Sequence, residues 1–250
     1  MESFKNRVLK KEKLFGTIVS LPSPQIAEMF SLAGLDWLFI DAEHGNFDLD
    51  DVQGVLQVVG DKTPSLVRVP LNDEIWIKRV LDAGAKGVIV PQVLTAEEAL
   101  QAVSFCKYPP EGKRSVGISR AHGYGMKFSD YLENANDEIL VVIQIEHIEA
   151  VRNAGTIVEV PGVDVVFVGP YDLSASMGVT GKVDSPRVKD AVGKVYDICH
   201  EVGKPAGIFG TVEDAVKPYV DMGFSLVCVS ADNLLIAGAL KELVSRVKNI

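Results

Sequence analysis

The feature that most constrains this chain is a repeated alternation of short apolar runs with amphipathic segments. Eight runs rich in Val, Ile and Leu recur: FGTIVSL (15–21), DWLFID (36–41), SLVRVP (65–70), KGVIVP (86–91), ILVVIQIE (139–146), DVVFVG (164–169), PAGIFG (205–210) and SLVCVS (225–230). Runs that are apolar throughout suit strands covered on both faces, as in a parallel sheet. A helical pattern follows each of them. SPQIAEMFSLAG opens on Ser23 and Pro24, a favourable cap and first-turn pair. FDLDDVQGVLQVVG offers Asp48 or Asp50 as its cap and NDEIWIKRVLDAG offers Asn72, while Thr95 and Glu98 form a capping box ahead of EALQAVSFC. AGLDWLFI, AGAKGVIV and MGFSLVCV repeat one junction, a glycine that ends a helix just before the next strand.

Eight β-then-α units in 250 residues predict a single-domain (β/α)₈ barrel of the TIM type spanning 1–250. An open doubly wound sheet is the competing architecture. It calls for a glycine-rich phosphate loop after the first strand, and SLPSP contains no GxGxxG. The one long interruption, residues 109–137, joins a helix to a strand and so belongs at the N-terminal rim, where it can meet a neighbouring subunit.

Composition excludes several partners. A net charge of −9 argues against nucleic acid, whose phosphates require a basic surface. No apolar run approaches membrane-spanning length, and MESFKNRVLKKEK lacks the apolar segment of a signal peptide. Cys106, Cys199 and Cys228 are widely spaced and form no CxxC pair, which reads as reduced thiols in a cytoplasmic protein.

In barrels of this kind chemistry sits at the C-terminal ends of the strands. Asp41, Glu43 and His44 follow the second run, Arg68 ends the third, Gln92 the fourth, Gln144 and Glu146 the fifth, and Asp172 follows the sixth. Gln144 and Glu146 are two apart and share a face, and Arg68 points inward with Leu66. Inward charges are expensive unless paired, so the bland reading is a buried ion pair between Arg68 and Glu146. Five or six polar groups at one rim favour a site instead. Carboxylates, a glutamine oxygen and water are hard ligands suited to Mg²⁺ or Mn²⁺, whereas zinc would recruit more His or Cys. No lysine occupies the C-terminal half of a strand, which argues against a Schiff base. A 2-keto acid bound to such a metal would lose a proton or a carbon substituent as an enolate, with Arg68 holding the developing oxyanion. Backbone N–H groups within the run Gly169, Pro170, Tyr171 and Asp172 would cradle its carboxylate.

These stretches also resemble a known family. DAEHGNFD, RVPLNDEIWIKRVLDAGAKGVIVPQV, GKRSVGISRA, VVIQIEHIEA and GVDVVFVGPYDLSASMG are similar to the dihydroxyheptenedioate and 2-dehydro-3-deoxyglucarate aldolases, class II pyruvate aldolases of the phosphoenolpyruvate/pyruvate barrel superfamily. The resemblance covers about residues 14–240 in order, and its Q-x-E followed by G-P-x-D-L-S is the specific part. It implies reversible cleavage of a 4-hydroxy-2-oxo acid to pyruvate and an aldehyde, with a divalent metal (Mg²⁺, Mn²⁺ or Co²⁺) on Glu146 and Asp172. Arg68 and Gln144 would hold the 2-keto acid. His44, oriented by Asp41, would move the proton, and Asp82 matches an acidic position tied to that histidine, reachable only across a subunit contact. Oxaloacetate decarboxylation and carbon–carbon bond synthesis would use the same enolate site. A homo-oligomer, commonly a hexamer with its C-terminal helix exchanged between neighbours, is also implied. Two departures, Ser115 in place of a family glycine and SRAHGYGMKFSDYL, fall where the aldehyde half would be recognised. Glu43 receives no role.

Overall fold

The computed structural model describes residues 2–250. The eight apolar runs become β1 (Leu14–Val19), β2 (Trp37–Asp41), β3 (Ser65–Arg68), β4 (Gly87–Val90), β5 (Leu140–Ile145), β6 (Val165–Val168), β7 (Ala206–Gly210) and β8 (Leu226–Ala231). They close in chain order into one all-parallel barrel, with β8 pairing back onto β1.

Side chains alternate between the barrel interior and the helix layer, and that alternation explains the doubly apolar strands. Leu14, Ile18, Trp37, Phe39, Leu66, Ile89, Leu140, Val142, Val165, Phe167, Leu226 and Cys228 fill the interior. Val67, Val88, Val90, Val141, Ile143, Val166, Ile208 and Val227 face the surrounding helices. Trp37 and Phe167 meet edge to face, their ring centroids 6.4 Å apart, and glycine makes room for the indole. A Cβ on Gly16 would come within 2.6 Å of the Trp37 ring.

The helix layer comprises α1 (Phe4–Leu9), α2 (Pro24–Leu32), α3 (Leu49–Val59), α4 (Glu74–Asp82), α5 (Ala96–Cys106), α6 (Phe128–Glu138), α7 (Ile148–Arg152), α8 (Ala154–Val158), α9 (Pro170–Ser176), α10 (Pro186–Glu201), α11 (Glu213–Met222) and α12 (Asp232–Val247). Ser23, Asp48 and Thr95 cap α2, α3 and α5 with their side chains. The cap of α4 is Asp73, one residue beyond the expected Asn72. Asp73 accepts from the amides of Ile75 and Trp76, while the Asn72 side chain donates to the Glu98 carbonyl at 2.9 Å.

Three helices were not foreseen in the sequence. α1 covers the N-terminal mouth, with Val8 in the interior cluster and Lys5 Nζ 2.9 Å from Asp164. α6 lies within the long interruption, and α9 follows GPYD directly. α12 stands apart from the rest. Its first residue, Asp232, is fully buried and accepts from the Ser20 and Leu21 amides and the Ser20 hydroxyl, clamping the helix to the end of β1. From Asn233 onward every residue is exposed, including Leu234, Leu235, Leu240, Leu243 and Val247.

Candidate active site

Extending the interior alternation by one step at the C-terminal ends of β2, β3, β5 and β6 brings Asp41, Arg68, Gln144 and Gly169 to the mouth. Glu146, two residues beyond Gln144, joins them. Asp41 and Arg68 are register partners on adjacent strands, so their side chains meet directly. Arg68 Nε donates to Asp41 Oδ1 at 2.9 Å and Nη2 to Oδ2 at 2.7 Å, a two-point clamp. The guanidinium also lies 5.1 Å above the Phe39 ring. Its Nη1 makes no hydrogen bond among the described residues, and Arg68 lines a cavity with His44, Gln144, Phe167, Tyr171 and Asp172.

This arrangement corrects two expectations. Arg68 pairs with Asp41 and Glu43, not with Glu146, because the neighbouring strand β2 presents its carboxylate in register. Asp41 orients the backbone of His44 and not its ring: Oδ1 accepts from the amides of Glu43 and His44 at 3.1 and 3.2 Å. The His44 imidazole is 65% exposed, and Glu43 supplies its carboxylate neighbour at 4.0 Å.

Glu43, unassigned from sequence, is a central member of the cluster. Its Oε2 lies 3.2 Å from Arg68 Nε without hydrogen-bond geometry, and its Oε1 accepts from the Gln92 side chain at 3.2 Å. Burial raises its pKa above the usual glutamate range despite Arg68. Glu146 is held from two sides, by the Gln92 amide on Oε1 at 2.8 Å and by the Gln144 side chain on Oε2. Its pKa is likewise raised, first by burial and further by the charges of Glu43 and Asp172. Gly169 leaves the space beside it, since a Cβ there would sit 3.1 Å from Glu146 Oε2.

Asp172 is exposed on the first turn of α9 and shares with Glu146, Glu43, His44, Gln92 and His147 a cavity of about 320 Å³. Among the described residues no three His, Cys, Asp or Glu side chains converge into a ready metal cage. The donor set nevertheless fits a hard divalent cation. Glu146 and Asp172 offer oxygen donors to one cavity, and no charged partner is seated on Glu146 to compensate its burial, so a divalent ion there would be held by hard ligands that suit it.

The expected backbone cradle is smaller than four residues. The Gly169 amide donates to the Ile145 carbonyl at 3.1 Å and Pro170 has no N–H, which leaves the amides of Tyr171 and Asp172. Asp82 is not brought to the mouth within one chain. It ends α4 at the opposite rim, where Arg114 Nη2 holds it at 2.6 Å. His147 caps α7, its Nδ1 accepting from the Glu149 amide. Gln92 was visible only as a polar strand end, because nothing in the residue type announces its left-handed backbone, φ 55°.

Fold and site together define a (β/α)₈ barrel enzyme with an arginine–carboxylate cluster at its C-terminal mouth. Residues 14–237 match the model of the HpcH/HpaI aldolase/citrate lyase family. The chain is 38% identical over 247 residues to the 4-hydroxy-2-oxo-heptane-1,7-dioate aldolase of Escherichia coli strain ATCC 8739, covering 98% of this chain and 94% of that protein. It is 36% identical to the 5-keto-4-deoxy-D-glucarate aldolase of Enterobacter sp. strain 638, covering 98% and 96%. The crystal structure of a HpcH/HpaI aldolase/citrate lyase family protein from Burkholderia cenocepacia J2315 superposes with a TM-score of 0.94 at 36% identity, covering 98% of each chain. The chain belongs to the HpcH/HpaI aldolase/citrate lyase family and is a carbon–carbon lyase.

Proposed function

We propose that this chain is a divalent-metal-dependent aldolase that cleaves a 4-hydroxy-2-oxo acid reversibly to pyruvate and an aldehyde. The observation that carries the reading is Arg68, clamped by Asp41 in a cavity it lines with Gln144 and Asp172, beside a second cavity where His44 and Asp172 meet Glu146. Names of relatives at 36–38% identity supply the substrate class.

Glu146 and Asp172 would hold the metal, with Mg²⁺ or Mn²⁺ favoured by their oxygen donors. When bound, it supplies Lewis acidity toward the oxygens of the 2-keto acid. Arg68 Nη1 donates to the keto oxygen, where negative charge gathers as the C3–C4 bond breaks. Gln144, Pro170, Tyr171 and Asp172 shape the wall around the acid, and the Tyr171 and Asp172 amides face its carboxylate. His44 accepts the proton of the 4-hydroxyl at its ring nitrogen, the electron pair of C3–C4 moves into the keto acid, and the aldehyde departs. Protonation at C3 then yields pyruvate. Glu43 stabilises the charged imidazole from 4.0 Å.

The solvent-facing α12 is part of the same reading. Its apolar residues pack on another copy of the chain, giving a homo-oligomer, with a hexamer favoured by the family resemblance. Asp82 takes part in catalysis only if such a contact carries it to a neighbour's mouth.

The test is product analysis on a panel of 4-hydroxy-2-oxo acids alongside oxaloacetate. The reading expects stoichiometric pyruvate and aldehyde from at least one hydroxy-oxo acid, and loss of turnover in Glu146→Ala. Pyruvate and CO₂ from oxaloacetate, with no hydroxy-oxo acid cleaved, would replace it by a decarboxylase.

A further inference from the structure

Gln92 sits just past β4 with φ 55°, a region that non-glycine residues with long side chains seldom enter. Its backbone there turns the amide onto Glu146 Oε1 at 2.8 Å, while its side-chain Nε2 reaches Glu43 Oε1 at 3.2 Å. One residue in a disfavoured conformation therefore donates to two carboxylates of the mouth, both held largely out of water. An observed backbone outlier at a cavity wall points to a function that the surrounding structure sustains. The contacts also form an unbroken series around the mouth: Asp41 to Arg68, Arg68 to Glu43, Glu43 to Gln92, Gln92 to Glu146 and Glu146 to Gln144. Gln92 is the link between the arginine half and the Glu146 half.

We propose that Gln92 is a positioning residue that fixes Glu146 through its left-handed amide and Glu43 through its side chain, coupling the metal-binding carboxylate to the arginine that binds the 2-keto acid. The inference rests on the proposed function above. It assigns the two contacts separable consequences. The amide contact governs how well Glu146 is presented to a cation. The side-chain contact governs Glu43, and through it Arg68 and His44, and so turnover.

Two variants separate them. Gln92→Gly keeps the left-handed backbone at no steric cost and loses the side chain alone. Gln92→Val loses the carboxamide and, being β-branched, disfavours φ 55° well beyond glutamine, drawing the amide off Glu146. Each is titrated with Mn²⁺ by calorimetry without substrate, and kcat and KM are measured for pyruvate release. Wild-type protein in the same assays must bind Mn²⁺ and release pyruvate; if it does neither, the functional reading itself fails. Given that, Gln92→Gly should keep wild-type Mn²⁺ affinity and lose kcat. Gln92→Val should lose about 10- to 100-fold in Mn²⁺ affinity as well, the usual cost of removing an outer partner of a metal ligand. The inference is overturned if both variants match wild type, or if Gly and Val weaken Mn²⁺ binding equally. Should Gln92→Val not fold, loss of Mn²⁺ affinity in Gln92→Gly overturns it alone, and retained affinity with reduced kcat supports it.

Discussion

Arg68 shows how a single residue is made fit for one task. A guanidinium with two nitrogens committed to Asp41 cannot swing, which leaves Nη1 for a ligand in the cavity Arg68 lines. Lysine has one compact ammonium and cannot clamp Asp41 at two points while also serving a ligand. Arg68→Lys is therefore expected to cost about 10²- to 10³-fold in kcat, the range for losing one oxyanion donor, with the fold intact by circular dichroism. An unchanged kcat would remove Arg68 from the chemistry. The inward residues Asp41, Arg68, Gln144 and Glu146 were legible in the sequence because a strand's period of two carries the interior face up to the rim. Glu43 and Gln92 were not. Both lie just past strand ends, where direction depends on turn geometry, and the φ of 55° at Gln92 has no signature in a glutamine.

At the scale of elements, the interior of the barrel leaves little tolerance. Gly16→Ala would press a methyl onto the Trp37 indole and main-chain oxygen at 2.6–2.7 Å, a loss of about 1–3 kcal/mol on the usual scale of overpacking. Denaturant unfolding checks it, and an unchanged midpoint would mean the indole has room to shift. The far rim carries a buried lysine at the end of α5. Lys107 donates to the Asn136 and Ile139 carbonyls, and burial, reinforced by Lys5, pulls its pKa down to about 8. Between about 8 and its ordinary 10.5 the unfolded chain holds this proton more firmly than the folded one, so the contribution of Lys107 to stability rises with pH across that window. The difference in unfolding free energy between wild type and Lys107→Met should rise by up to about 1.4 kcal/mol per pH unit there. A flat difference would show that the ammonium is well solvated. All eight strands were legible from their apolar runs, within two residues at each end. α1, α6 and α9 were not: α1 and α9 are only six and seven residues long, α6 is a mostly polar stretch inside the long glycine-rich interruption, and α1 is held by tertiary contacts such as Lys5 with Asp164.

The whole molecule presents an imbalance that a single chain does not resolve. Asp232 anchors α12 to the mouth, yet the helix beyond it places four leucines and several other apolar residues in solvent. Exposed apolar area of that extent marks a protein contact. Sedimentation of the full chain is expected to show an oligomer, and removal of residues 233–250 to shift it toward smaller species. A full chain sedimenting at its monomer mass of 27.0 kDa would contradict the exchanged helix. The barrel and its mouth were legible because connectivity and strand direction dictate them. The use of α12 was not, because an amphipathic helix carries no record of which copy it packs on.

The central claim is that Glu146 and Asp172 hold a metal on which cleavage depends. The most direct measurement is pyruvate release from a 4-hydroxy-2-oxo acid after exhaustive chelation and again after adding back Mg²⁺ or Mn²⁺. The account predicts that release stops in the chelated protein, returns with the metal and fails to return in Glu146→Ala. Pyruvate release that persists undiminished in chelated protein would contradict it.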